Sequence, residues 1–166
     1  LINLSDLTVL PPFCRHYPYL AKLIQPRKGR DMDIKREQLE SSKDTGYITV
    51  QVNKEPAIKY ERVLFHHVGS KDIGGVLVAY GEGRGIVQVP YPASLGNGTY
   101  IKAYPTDYHD DDFNLVYTYS DGAKHRAILG TVTVTFEGFF RTAEGKYSFT
   151  TQLGDEVHGE FKLAAY

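Results

Sequence analysis

The densest group of residues able to do chemistry is "TDYHDDDFNLVYTY", residues 106–119, where His109 stands directly before Asp110, Asp111 and Asp112. Imidazole beside carboxylates is the material of an acid–base pair or of a divalent-cation site. The spacing opposes both. Successive side chains of extended backbone point to opposite faces, so four consecutive residues converge on one ion only through a tight loop. A calcium loop spreads its ligands over about twelve residues around a glycine bend, and that pattern is missing here. The aspartates therefore read as caps of a solvated turn, bonding nearby backbone amides before the strand "FNLVYTY". His66-His67 lies in a strand-like run, which turns one ring to the core and the other to water and so denies a metal pair. "GSKDIGG" and "YGEGRG" are rich in glycine but match no phosphate loop and read as hairpin turns. There is no G-x-S-x-G nucleophile signature. The chain reads as a non-enzyme, with no catalytic, metal-binding or cofactor-binding set.

The elements that must position these residues are strands. The chain has 166 residues, the size of one domain with a substantial core. Its 19 basic and 20 acidic residues leave a formal charge of -1, which removes any global attraction for nucleic acid or membrane. The single cysteine, Cys14, excludes an internal disulfide, a composition that fits a reducing compartment. No apolar run approaches the roughly 18 to 20 residues of a spanning helix, and the amino end, broken by Asp6, Pro11, Pro12 and Arg15, does not read as a signal peptide. Asn97-Gly98-Thr99 spells a glycosylation acceptor, relevant only to a secreted chain, and a tight turn is its plainer use. Past residue 46, short runs of valine, isoleucine, threonine, tyrosine and phenylalanine recur between glycine, proline and aspartate. "YITVQV" places Ile48, Val50 and Val52 on one face, and "TVTVTF" does the same with Val132, Val134 and Phe136. "KYSFTTQL" sets Tyr147, Phe149 and Leu153 in step, and "VHGEFKL" sets Val157, Phe161 and Leu163. Further runs at 59–68, 74–80, 84–91, 99–104 and 113–119 bring the count to about nine, which suits a sandwich or barrel. Residues 1–45 hold Pro11, Pro12, Pro18 and Pro26 and read as an extended arm and connecting segment, with a short helix near "MDIKREQLESS". Residues 46–166 form the β domain.

Three stretches, taken in order, resemble the capsid proteins of picorna-like viruses, the dicistrovirus and iflavirus groups in particular. "NLSDLTVLPPFCRHYPYL" is similar to the arm that leads into their jelly roll, through Asp6, Leu7, Leu10, Arg15 and Tyr17, with Pro-Pro-Phe as a departure. "IVQVPYPASLGNGTY" is similar to a family strand end through Val87, Val89, Pro90 and Tyr91. "YSFTTQLGDEVHGEFKLAAY" is similar to the closing strand through Gly154 and Asp155, while Glu156 and Val157 depart from it. In some relatives an Asp-Asp-Phe motif is implicated in maturation cleavage; here Asp111-Asp112-Phe113 spells it, but away from the closing strand.

The resemblance implies an eight-stranded antiparallel jelly-roll sandwich with an extended amino-terminal arm. It implies a structural subunit of a small non-enveloped icosahedral RNA virus, found in the virion and in the host cytoplasm during assembly. Its partners would be other capsid subunits, with Leu4, Leu7, Leu10, Phe13 and Tyr17 of the arm buried between them. Genomic RNA on the inner surface would meet Arg15, Arg27, Lys28 and Arg30. A polyprotein origin would account for a chain that begins at Leu1. Two other readings stay open. One is a calycin-like β-barrel that binds or converts a small apolar ligand in a pocket lined by Tyr117, Tyr119 and Phe136. The other is a carbohydrate-binding sandwich, whose sign would be exposed tyrosines near residues 104–119.

Overall fold

The computed structural model describes residues 29, 31–32, 35–68, 73–110 and 112–166. Among the described residues one short helix, α1 (Arg36–Ser41), precedes ten strands. These are β1 (Thr45–Val52), β2 (Ile58–Tyr60), β3 (Arg62–His67), β4 (Gly75–Gly81), β5 (Gly85–Tyr91), β6 (Gly98–Tyr104), β7 (Val116–Tyr119), β8 (Lys124–Glu137), β9 (Thr142–Thr151) and β10 (Glu156–Ala164). Every described pairing is antiparallel, in the order β2-β1-β10-β9-β8-β7-β5-β4-β3, with β6 also on β8.

Two features turn this sheet back on itself. The path begins at β2 and ends at β3, and Glu61 alone separates those strands in the chain, so one bent segment joins both ends of the sheet. On the far side β8 carries β7 along Lys124 to Arg126 and β6 along Gly130 to Phe136, so β6 and β7 follow one another down the same edge. Ten strands thus run in eight tracks, each beside its neighbour in sequence, and β1 pairs with β10. The result is an antiparallel sheet nearly closed like a barrel, which removes most of the unpaired edge an open sheet would expose. Gly145 belongs to this coiling, since a Cβ there would lie 1.9 Å from the Thr133 carbonyl oxygen.

The all-β, antiparallel expectation holds. The expectation of an eight-stranded jelly roll does not carry through: there are ten strands, and consecutive neighbours replace the long crossovers of a jelly roll. Alternation along each strand could not decide this, because both topologies need one apolar face. That alternation is kept. Val132, Val134 and Phe136 are buried on β8, Tyr147 and Phe149 on β9, and Val157, Phe161 and Leu163 on β10. Two boundaries move. β8 starts at Lys124 and not near residue 131, and β9 ends at Thr151, leaving Leu153 46% exposed in a turn.

Strand β4 is buried on both faces because the sheet is covered outside as well as inside. Leu77 and Ala79 face the main core, whereas Val76 and Val78 pack outward under Leu39 of α1, with Met32, Leu64, Ile86 and Phe113 around them. A six-residue helix is marginal alone; Gln38 caps it by accepting from the Lys35 amide at 3.0 Å, and Leu39 anchors it. The part of residues 1–45 that is described therefore lies against the barrel. The expected interface residues Leu4, Leu7, Leu10, Phe13 and Tyr17, and the expected RNA contacts Arg15, Arg27, Lys28 and Arg30, lie outside the described residues.

Candidate functional site

The two ends of the barrel are built from different chemistry. At one end, where β3 finishes, β4 starts and the turns at 92–97 and 138–141 lie, an aromatic plug closes the core. Phe136 stacks on Phe65 with centroids 6.2 Å apart and meets Tyr91 edge-on at 4.7 Å, and Phe140 packs against it at 4.8 Å. The two histidines separate as the strand geometry requires. His67 stacks on Phe140 at 4.0 Å and shares a 3.0 Å hydrogen bond with the Tyr91 hydroxyl, while His66 turns outward onto Phe113. Burial and the adjacent His66 push His67 below the ordinary imidazole range.

The other end is ringed by the turns at 53–57, 82–84, 120–123 and 152–155. Here polar side chains face the barrel axis. The β7–β8 register sets Tyr117 opposite His125, and cross-strand partners share a face, so the His125 ring points inward with Tyr117. Tyr119, two residues on, shares that face; its ring lies 4.7 Å from Tyr117 and 4.5 Å from His125. Asp155 reaches the same point from the β9–β10 turn. Gly154 takes a φ of +90° there, and the Thr151 hydroxyl accepts the amides of Leu153 and Asp155.

His125 Nδ1 lies 3.0 Å from Asp155 Oδ2. A carboxylate only accepts, so Nδ1 carries the proton and Nε2 remains as the second hydrogen-bonding atom of the ring. Asn53 Nδ2 donates to the other carboxylate oxygen at 3.0 Å, and Asn53 Oδ1 accepts from the Glu156 amide at 2.9 Å. The pair is thereby fixed to two turns and the start of β8. Below it, the Tyr60 and Tyr117 hydroxyls stand 3.4 Å apart, and Tyr117 donates to the Arg84 carbonyl at 3.0 Å. Burial, with Asp155, Tyr117 and Glu55 nearby, pushes the Tyr119 hydroxyl up to about 12. Burial likewise raises Tyr60 and Tyr147.

The "HDDDF" stretch takes a different part. Asp112 is fully buried and is a backbone clamp: Oδ1 accepts from the Gly74 amide at 3.0 Å and Oδ2 from the His109 amide at 2.8 Å. The aspartate-capped turn is confirmed, with the correction that Asp112 is inside and not solvated. Asp111 lies outside the described residues, and Phe113 packs with the outer cluster over β3–β5. Asn114 continues the clamp, accepting from the Tyr104 hydroxyl at 3.1 Å and donating to the Gly29 carbonyl at 2.7 Å and to Asp31 at 2.8 Å. Arg126 closes it on Asp31, donating from Nε to Oδ1 and from Nη2 to Oδ2. Burial alone would raise the Asp31 carboxyl, yet the bonds from Arg126 and Asn114 outweigh it and hold it low. This polar seam ties the β6–β7 connection to Gly74 ahead of β4, to Tyr104 at the end of β6 and, through Asp31, to Arg126 of β8.

The pocket expected from Tyr117, Tyr119 and Phe136 is not one pocket. Phe136 belongs to the aromatic plug and the tyrosines to the polar mouth, at opposite ends of the barrel. Tyr104, Tyr108 and Tyr117 are buried, so the exposed tyrosines expected of a sugar-binding loop are not found there. His125 and Asn53 escaped the sequence reading. The signal was the turn "SDGAK", whose length sets Tyr117 against His125. A cleft of about 650 Å³ lies on the outer face, lined by Gln51, Thr131, Lys146, Ser148, His158 and Glu160 among others. No group of three or more His, Cys, Asp or Glu side chains among the described residues is placed to hold a metal ion, and no described helix is long and apolar enough to cross a membrane. No family model, no curated protein and no solved structure matches the chain.

Proposed function

We propose that this chain is a small-ligand barrel whose polar mouth takes a compact ring compound bearing a hydroxyl. The observation that carries this reading is the inward-facing His125–Asp155 pair, held by Asn53 and set against the tilted ring of Tyr119. A turn that only needed closing could turn these polar groups to water; here they face the axis, where β-barrels take small ligands. In this reading Nε2 of His125 meets the ligand's hydroxyl, and Tyr119, Tyr117 and Tyr60 supply ring surface and hydroxyl partners. The reading keeps the ligand-barrel alternative but moves the ligand from the apolar interior, which side chains fill, to the mouth.

The test is calorimetric titration of the intact protein with p-cresol as probe. Binding weakened tenfold or more by His125→Gln supports the proposal, since a lost hydrogen bond to a half-buried imidazole is worth about 1.4 kcal/mol. Absence of binding, or binding indifferent to His125→Gln, contradicts it. The competing proposal, a shell subunit of an icosahedral RNA virus, is decided by the native mass. A megadalton particle holding RNA and other chains of similar size would restore it, whereas a small species without nucleic acid leaves the ligand barrel standing.

A further inference from the structure

The ring of strands is interrupted at β6. Its inner edge pairs with β8 from Gly98 to Tyr104, without a bulge. At its last turn the Ala103 amide donates to the Asp107 carboxylate at 2.7 Å, and the Asp107 amide donates to the Ala103 carbonyl at 2.8 Å. The polar backbone groups of Ala103 therefore point away from β8. Backbone groups alternate sides along a strand, so those of Ile101 and Thr99 point the same way. Among the described residues neither has a backbone partner on that edge. Ile101 is also 71% exposed, more than any other large aliphatic residue described.

We propose that this edge pairs with the same edge of a second copy of the chain. Its two open residues are self-complementary. A two-fold axis through Tyr100 sets Thr99 of one copy opposite Ile101 of the other and Ile101 opposite Thr99, closing four backbone hydrogen bonds and leaving neither residue open. Asp107 already occupies Ala103, which stops the ladder there and fixes this register against a slip of two residues. The same register places Lys102 opposite Gly98, so the lysine that would repel its own copy in a register centred on residue 102 meets no like charge. The two Ile101 side chains lie on the outer face, flanking the axis, and cover one another. Two residues per strand make a small interface, so the dimer is weak and forms at high protein concentration. This inference is independent of what the barrel binds.

Sedimentation velocity over a dilution series from about 500 µM tests it by mass action. The expected result is a monomer–dimer equilibrium, slowed amide exchange at Thr99 and Ile101 in the dimer, and a dissociation constant raised at least tenfold by Ile101→Lys. Leu153→Lys, an equally polar change at an exposed residue of the opposite end, is the control that leaves the equilibrium in place. A monomer throughout the series overturns the proposal. So does a dimer that ignores Ile101→Lys, or one in which the Thr99 and Ile101 amides exchange as fast as in the monomer.

Discussion

The two ends of the barrel answer the same problem, how to finish a closed sheet, in opposite ways. At the plug end the side chains of Phe65, Tyr91, Phe136 and Phe140 interlock, and His67, exposed at the rim, stacks on Phe140. At the mouth, His125, Asp155 and Asn53 interlock by hydrogen bonds, with the Tyr119 ring against His125. Burying a polar group costs unless it is partnered, so a polar closure is the dearer solution for stability alone. In the proposed reading the plug holds the barrel and the mouth is the part left to bind.

That contrast is sharpest under truncation. Phe136→Ala removes a fully buried ring shared by Phe65, Tyr91 and Phe140, and urea unfolding is expected to show a loss of about 3–5 kcal/mol. An equal loss from His125→Gln would erase the distinction between the ends. Asp112→Ala is next. It strands the amides of Gly74 and His109, and the expected cost is roughly 1–3 kcal/mol in the same assay.

The seam and the mouth also differ in the direction of their pH response. Asp31 is held below its ordinary carboxylate value, so its contribution is present above pH ~4 and is lost as acid protonates it. Arg126→Gln should flatten that acid limb of the stability profile, a smaller effect because Asp31 is partly exposed. Tyr119 behaves in the opposite sense. Its hydroxyl is raised to about 12 while an unfolded tyrosine titrates near ~10, so its contribution is full below pH ~10 and is lost as pH rises toward 12. Tyr119→Phe should flatten the alkaline limb of a thermal-melt series, the smallest of these effects. No change in slope would mean that the hydroxyl is free in water.

Much of the barrel was legible in the sequence because period-two alternation directly reports which side chains share a face. "TVTVTF" and "VHGEFKL" kept their inward residues, and the helix near "MDIKREQLESS" formed at Arg36–Ser41. Topology was not legible, because alternation is blind to which strand lies next door; the join of β2 to β3 through Glu61 is a tertiary fact. The burial of Asp112 was hidden for a related reason. Three aspartates in a row look solvated, and only the folded chain brings the Gly74 amide, just ahead of β4, to the carboxylate that the local His109 amide also caps. The mouth was half legible. Tyr117 and Tyr119 stood out as ring surface, whereas His125 comes from the start of β8 and Asp155 and Asn53 from two separate turns that only barrel closure brings together.

The central claim, that the polar mouth is the working end, is tested most directly by aromatic proton–carbon NMR of the intact protein during titration with p-cresol. The account predicts saturable shifts at His125, Tyr119 and Tyr117, with the rings of Phe65, Phe136 and Phe140 unmoved. Shifts at the plug end, shifts confined to His158 in the outer cleft, or no saturable shift at all would contradict it.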